Sequence, residues 1–377
     1  MPSINLQLSF PGSPLVVRPI SARVVSTEYQ HDIAELLVSN PLLSELTPYK
    51  SGAAVKLTWK SNLPGRSGTF YGYCDRIDPP LSKTHGSMTQ SFAKVRCYGV
   101  SYPMKNEGFS TYSNLTADAI ALDIAQRFNL AAIIDPHSFQ WATYSQTGKS
   151  YWAFLVELAQ RIGYTVYIVG STLFFIDRRT AGGYTRHPLM FDIRKSPRSM
   201  NDVLSFSPTS SSGDGVDGHK SGTYVARGIS QYSKQMFSVE QSSVARYGTT
   251  TLNERLFSRT ITDRSPSSVG EAQMYVDAAE ANSLFTSVAT AEVQGTPGIH
   301  PGSVVNISVH DASYRAYSGS WYVMEVEHLL NPNRYTSRMR IGNDTSGFMK
   351  ETPQRTQMSG AIGTTIRNGI WQSNRAA

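Results

Sequence analysis

Ser150-Tyr-Trp-Ala-Phe-Leu-Val-Glu-Leu-Ala-Gln-Arg-Ile162 runs through Gly163 into Tyr164-Thr-Val-Tyr-Ile-Val169, Gly170-Ser171 and Thr172-Leu-Phe-Phe-Ile176. Trp152, Leu155, Ala159 and Ile162 recur at helical spacing, and Gly163 stands where a left-handed residue ends a helix. A two-residue Gly-Ser loop between β-rich runs predicts a type II′ hairpin. Upstream, Thr116 to Phe128 predicts another helix: Ile120, Ile124 and Phe128 repeat every four residues beside Ala117, Ala121 and Ala125. Thr116 suits the N-cap and Asp118 the first turn. Residues 106–187 therefore read as a small α+β module of two helices and a hairpin.

On either side of this module the pattern is β. In residues 1–105, Pro14 to Val25, Ala53 to Trp59, Gly68 to Cys74 and Ser91 to Tyr98 alternate or are β-branched, with Gly/Pro/Ser turns between them. The stretch 76–90, holding Pro79-Pro80, reads as a long loop. In residues 188–345, strands are expected at Val203–Ser207, Ser221–Ala226, Ser303–Val309, Gly319–His328 and Arg334–Ile341. One helix is expected at Ser267–Leu284, with Val269, Ala272, Val276 and Ala279 on one side. Antiparallel strands of this kind make a sandwich or barrel. Residues 346–377 hold isolated apolar positions, among them Phe348, Ile366, Ile370 and Trp371, amid Gly, Thr, Gln and Asn. That tail reads as extended and ordered by a partner.

The 377 residues suggest two or three domains at about 150 residues each. A hydrophobic fraction of 40% supports ordinary cores, and 20 tyrosines with 29 glycines favour β-structure. No apolar run approaches the ~18–20 residues of a membrane-spanning helix, and the first residues lack a secretory pattern. The net charge of +7 is uneven: residues 1–105 carry 11 Lys/Arg against 6 Asp/Glu, and 346–377 carry 4 against 1. No dense basic stripe interleaved with aromatics appears, as nucleic-acid binding would require. Arg178-Arg179 and the spread Lys50, Lys56, Lys60 and Arg66 come nearest, and read as a solvated face or a subunit contact. Cys74 and Cys97 form no CxxC pair. They imply neither a disulfide scaffold nor a zinc site, and read as core or half-buried thiols that the cytosol keeps reduced.

Motifs for chemistry are sparse. No Walker loop, GxSxG elbow, HExxH or HxH occurs. The eight histidines are scattered, so no metal or cofactor is expected. Gly213-Asp-Gly-Val-Asp-Gly218 lacks the terminal bidentate Glu of a calcium loop and reads as a mobile loop. Glu325 and Glu327 share a strand face at a separation compatible with the about 5–9.5 Å of glycosidase carboxylates. Surface acids opposite Arg338 or Arg340 of the next strand are the simpler reading.

Two stretches, taken in order and spacing, resemble a known family. The first is Thr116–Leu130 with Ser150–Ile176. The second is Ala278-Ala-Glu-Ala281 and Gly295-Thr-Pro-Gly298, then Pro301–Ile307, Tyr317–His328 and Arg334–Asp344. Over about 330 residues they are similar to the baseplate hub, or late-control, proteins of contractile phage tails. They also resemble the hub part of type VI secretion spike proteins. The resemblance implies a structural, non-catalytic homotrimer with two tail-tube-like antiparallel β-barrels per chain. Three copies would form a pseudo-sixfold ring between a hexameric tail tube, or tube-initiator protein, and a trimeric central spike, beside other baseplate proteins. Genomic DNA would pass through the lumen without specific binding. The expected place is the virion tail baseplate, assembled in the host bacterial cytoplasm. With no long repetitive needle in the sequence, a separate spike protein is expected. Ile370 and Trp371 are then the anchors by which the tail docks on spike or neighbour. Two alternatives stand beside this: a cell-wall-acting enzyme or carbohydrate-binding β-sandwich of the tail tip, and a tube or distal tail protein of a non-contractile phage. The helical module argues against a simple tube subunit.

Overall fold

Apolar residues at every second position build most of this chain, because successive strand side chains face opposite ways. The computed structural model describes residues 4–14, 16–39, 51–61, 67–78, 92–180, 185–193, 203–210, 223–230, 233–242, 258–261, 266–282, 285, 287–310, 317–343, 363–367 and 370–374. The first strands are β1 (Ile4–Ser9), β2 (Val16–Val17), β3 (Pro19–Thr27), β4 (Ile33–Ser39), β5 (Ala54–Ser61), β6 (Gly68–Asp78) and β7 (Phe92–Gly99). Ile4, Leu6 and Leu8 of β1, Leu57 and Trp59 of β5, and Val95 and Cys97 of β7 bury one face in a shared core.

The middle of the chain forms β8 (Glu107–Thr116), α1 (Ala117–Arg127), β9 (Ala131–Ile134), β10 (Gln140–Ser150), α2 (Tyr151–Ile162), β11 (Tyr164–Val169) and β12 (Thr172–Asp177). Helix α1 buries Ile120, Ile124 and the alanines beside them. Thr116 has extended N-cap geometry, but its side chain makes no capping bond. Ser150 does cap α2, its hydroxyl accepting from the Ala153 N–H at 3.1 Å. Gly163 ends α2 at φ 76°, and a Cβ there would lie 2.8 Å from that of Ala281, so the turn and the close packing both need glycine. Gly170, at φ 63°, turns β11 into β12. Two features escape the sequence patterns: β8 and β10 pair as an antiparallel ribbon, and β9 lies parallel to β12.

The rest comprises β13 (Thr185–Ile193), β14 (Val203–Ser210), β15 (Thr223–Ile229), β16 (Met236–Ser242), β17 (Ser258–Ile261), α3 (Val269–Asn282), β18 (Ser287–Gln294), β19 (Ser303–Val309), β20 (Gly319–Asn331), β21 (Arg334–Asn343), β22 (Gly363–Arg367) and β23 (Ile370–Asn374). Helix α3 is not the one-sided helix expected. Ala272 and Val276 pack on β15 and β16, while Met274 and Tyr275 face the core of the helical region. Val269, expected on its buried side, is 57% exposed.

The two expected tube-like antiparallel barrels do not close among the described residues. One 13-stranded sheet runs β14-β18-β21-β20-β3-β4-β7-β6-β5-β1-β2, with β19 on β20 and β13 on β19. Each half curls toward closure: β1 nears β3, and β13 nears β14. Neither approach becomes a ladder among the described residues. The halves are joined through β20, whose 13 residues pair with strands of both. One of its edges pairs with β19 at Gly319–Tyr322 and then with β3 at Glu325–Leu330. The far end of the β20–β21 hairpin enters the first core, where Leu330 and Tyr335 are buried.

Candidate functional site

The three parts of the molecule meet at the turn after β3, and the geometry there is set by Glu28 and Tyr29. Tyr29 has a φ of 63°, a left-handed conformation costly for a bulky residue, on the order of 1–3 kcal/mol. Its surroundings hold it. Its N–H donates to the Val166 carbonyl at 2.9 Å. Its carbonyl accepts from the Trp152 indole at 3.2 Å, and its hydroxyl donates to the Tyr164 carbonyl at 2.9 Å. This turn thereby ties β3 to α2 and β11.

Glu28 is buried beside it, and its N–H donates to the Met324 carbonyl of β20. Its carboxylate accepts from the Thr165 hydroxyl at 2.8 Å and from the Tyr322 hydroxyl. Arg178, also buried, supplies the countercharge at 3.3 Å. The Arg178 guanidinium lies 5.0 Å from the Phe285 ring centre and 5.9 Å from that of Tyr29. Burial, reinforced by the Glu28 charge, pushes the Tyr322 hydroxyl well above its ordinary pKa. It therefore stays a donor.

A cavity of about 560 Å³ opens against this seam, lined by Glu28, Tyr29, Arg161, Arg178, Tyr275 and Arg340 among others. On its far side Arg161 of α2 pairs with Glu271 of α3 at 3.3 Å and lies over the rings of Tyr144 and Tyr275. Ser268 accepts from the Glu271 N–H, while the Glu271 carboxylate takes both the N–H and the hydroxyl of Ser267. This is close to a capping box at the start of α3. Burial works against ionisation of Glu271, yet the Ser267 and Tyr275 hydrogen bonds and the Arg161 charge hold its pKa below normal. Both carboxylates are thus saturated by donors, an arrangement that fixes elements in place.

A second seam joins the β20–β21 hairpin to the first core. His328 is buried, with its Nδ1 2.9 Å from the Ser337 hydroxyl and 3.2 Å from the Tyr335 hydroxyl. Its ring centre lies 6.0 Å from that of Trp59. The Ile4 N–H donates to the Pro332 carbonyl at the hairpin tip. Burial lowers the His328 pKa to about 4. His31, beside Trp152, is lowered to about 4 by burial and then by the Lys105 charge.

Residues singled out by the sequence fall in several places. Glu325 and Glu327 stand opposite Arg340 and Arg338 in the β20–β21 register, as expected. Glu327 is ion-paired with Arg23 of β3, and Glu325 lines the cavity. Arg178 is not a solvated residue, as expected for Arg178-Arg179, but the buried partner of Glu28; Arg179 pairs with Asp177 at 2.9 Å. Lys56 lies over the Tyr71 ring at 5.6 Å and Lys60 is exposed. Lys50, Arg66, the 213–218 loop and Phe348 lie outside the described residues. Ile366 and Trp371 are register partners in the β22–β23 hairpin, as are Arg367 and Ile370. Among the described residues no group of three or more His, Cys, Asp or Glu could hold a metal ion, and no helix is long and apolar enough to cross a membrane. Glu28, Tyr29 and Tyr322 went unnoticed in the sequence, because partners 137 and 294 residues apart leave no local pattern.

The sequence matches no family model and no curated protein. The fold is shared with solved phage tail proteins and with a type VI secretion component. A tail protein from Neisseria meningitidis MC58 superposes with a TM-score of 0.64 at 12% identity, covering 91% of this chain and 97% of that one. The 43 kDa tail protein of prophage MuSo2 from Shewanella oneidensis gives 0.60 at 11% identity, over 91% and 99%. An Escherichia coli component of the type VI secretion system, itself similar to the T4 tail proteins gp27 and gp5, gives 0.55 at 11% identity, over 95% and 82%.

Proposed function

We propose that this chain is the baseplate hub of a phage or phage-like contractile tail. The observation that carries the proposal is the near end-to-end match of its fold to phage tail proteins, over 91% of this chain and 97% or more of theirs. In this reading the protein is structural rather than enzymatic. It assembles as a homotrimer whose two curled half-sheets per chain make a pseudo-sixfold ring. The ring joins a hexameric tube to a trimeric spike and leaves a channel for DNA. The chain divides into a first tube-like part (1–105), a small α+β module (106–187), a second tube-like part (188–345) and a tail (346–377). Phe348, Ile366, Ile370 and Trp371 of that tail dock on the spike or a neighbouring copy. Edge strands left unpaired in a monomer are costly, and ring closure covers them. The buried Glu28–Arg178 seam suits a part that must hold three regions in one fixed arrangement.

Light scattering on the purified chain, with averaged electron images, tests the reading. A trimer appearing as a ring with six lobes is expected, and a particle that stays monomeric at high concentration overturns it. Deleting 346–377 should leave the ring intact and weaken retention of the trimeric spike in a pull-down. Unchanged retention would remove the docking role of the tail.

A further inference from the structure

Cys74 and Cys97 are direct register partners across the antiparallel pair β6–β7. The backbone shows which kind of pair they form. The Cys74 N–H donates to the Ala53 carbonyl, and the Cys74 carbonyl accepts from the Gly52 N–H. Both backbone groups of Cys74 therefore point away from β7, so Cys74 and Cys97 face each other as a non-hydrogen-bonded pair. Such pairs bring their Cα atoms to about 4.5 Å with the side chains at their closest, and disulfides span about 4.4–6.8 Å between Cα atoms. Both side chains are fully buried on the core face of the first half-sheet, and both are free thiols. The two sulfurs lie close enough for each to shift the other's pKa.

We propose that Cys74 and Cys97 are a covalent modification site, closing to a cross-strand disulfide when the folded protein meets a small-molecule disulfide. The interaction between the two thiols lowers the Cys74 pKa and, with burial, raises that of Cys97 well above normal, so Cys74 is the attacking group. During a brief opening of β6–β7, Cys74 gives its proton to water, and its thiolate attacks one sulfur of the oxidant and expels its first thiolate. The mixed disulfide has no room in the closed core. Cys97 gives its proton to that expelled thiolate, attacks the Cys74 sulfur and releases the second thiolate, which takes a proton from water. Two protein S–H bonds and one oxidant S–S bond become one protein S–S bond and two small thiols, with two electrons passing to the oxidant. The product staples β6 to β7 with no change of register, and closes the chain between positions 74 and 97.

The full-length protein, incubated overnight with oxidised glutathione, then unfolded in an alkylating reagent and weighed intact, tests this. The expected product is lighter than the reduced chain by two hydrogens, takes up no alkyl group, and yields a cross-linked 74–97 peptide on digestion. Its melting temperature rises, and dithiothreitol reverses the rise. Cys74→Ser and Cys97→Ser should each melt at the same temperature with or without oxidant. The inference is overturned if both cysteines still take up alkyl groups, if one retains a glutathione adduct, or if cross-linked dimers form instead.

Discussion

The two seams that unite this molecule are built from opposite materials. At the β3 turn, a carboxylate and a guanidinium are buried together, with Thr165 and Tyr322 completing the carboxylate's bonds. At the β20–β21 hairpin, the groups entering the first core are neutral: Leu330, Tyr335 and a histidine held uncharged by burial. A buried ion pair contributes little over apolar residues of the same shape, but loses heavily when one member goes. A neutral seam tolerates truncation in proportion to the area lost, and fails when its histidine takes a proton. The charged seam is thus sensitive to mutation, and the neutral one to acid.

The largest expected effect lies at the charged seam. Arg178→Met leaves the Glu28 carboxylate buried without its countercharge and should lower unfolding free energy by about 3–5 kcal/mol in denaturant titrations. Adding Glu28→Gln should recover most of that loss; an equal loss in the double variant would show that shape, not charge, holds the seam. The pH response comes next. A histidine whose folded pKa lies below its unfolded value contributes stability in full above pH 6.5, and that stability is lost as pH falls toward 4. His328 drops from 6.5 to about 4, so it should withdraw about 3 kcal/mol over that window. His31 acts in the same direction. Urea midpoints read from pH 7 down to pH 4 measure the decline; a His328→Gln variant with an unchanged slope would assign the acid response elsewhere. Ser150→Ala, away from both seams, should cost about 1 kcal/mol through the lost cap on α2. The smallest effect belongs to Arg127→Ala, whose exposed pair with Asp123 should contribute under about 0.5 kcal/mol.

The elements that were legible in the sequence are those whose signal is local. Helix α2, the Gly163 stop and the Gly170-Ser171 turn each rest on residues within a few positions of one another, and the structure forms them as written. The Ser/Thr-rich strands β8 and β10 were hidden because their outward faces carry no apolar alternation. Helix α3 misled because it is buried on two sides, which a one-sided stripe cannot express. The Glu28 seam was out of reach for a different reason: its glutamate, threonine, arginine and tyrosine are ordinary in their own segments, and only folding brings them together. Cys74 and Cys97 fall between, since the sequence reads both as core or half-buried thiols in strands of one segment while the pairing register stays open.

Strand β20 has a mechanical meaning. It pairs with β19 over its first residues and with β3 over its later ones, so the halves of the molecule are spliced along a common beam rather than hinged by a linker. A pull directed along that beam would slide β3 past β20 and strain its hydrogen bonds together, in shear, where a hinge would let them open one after another.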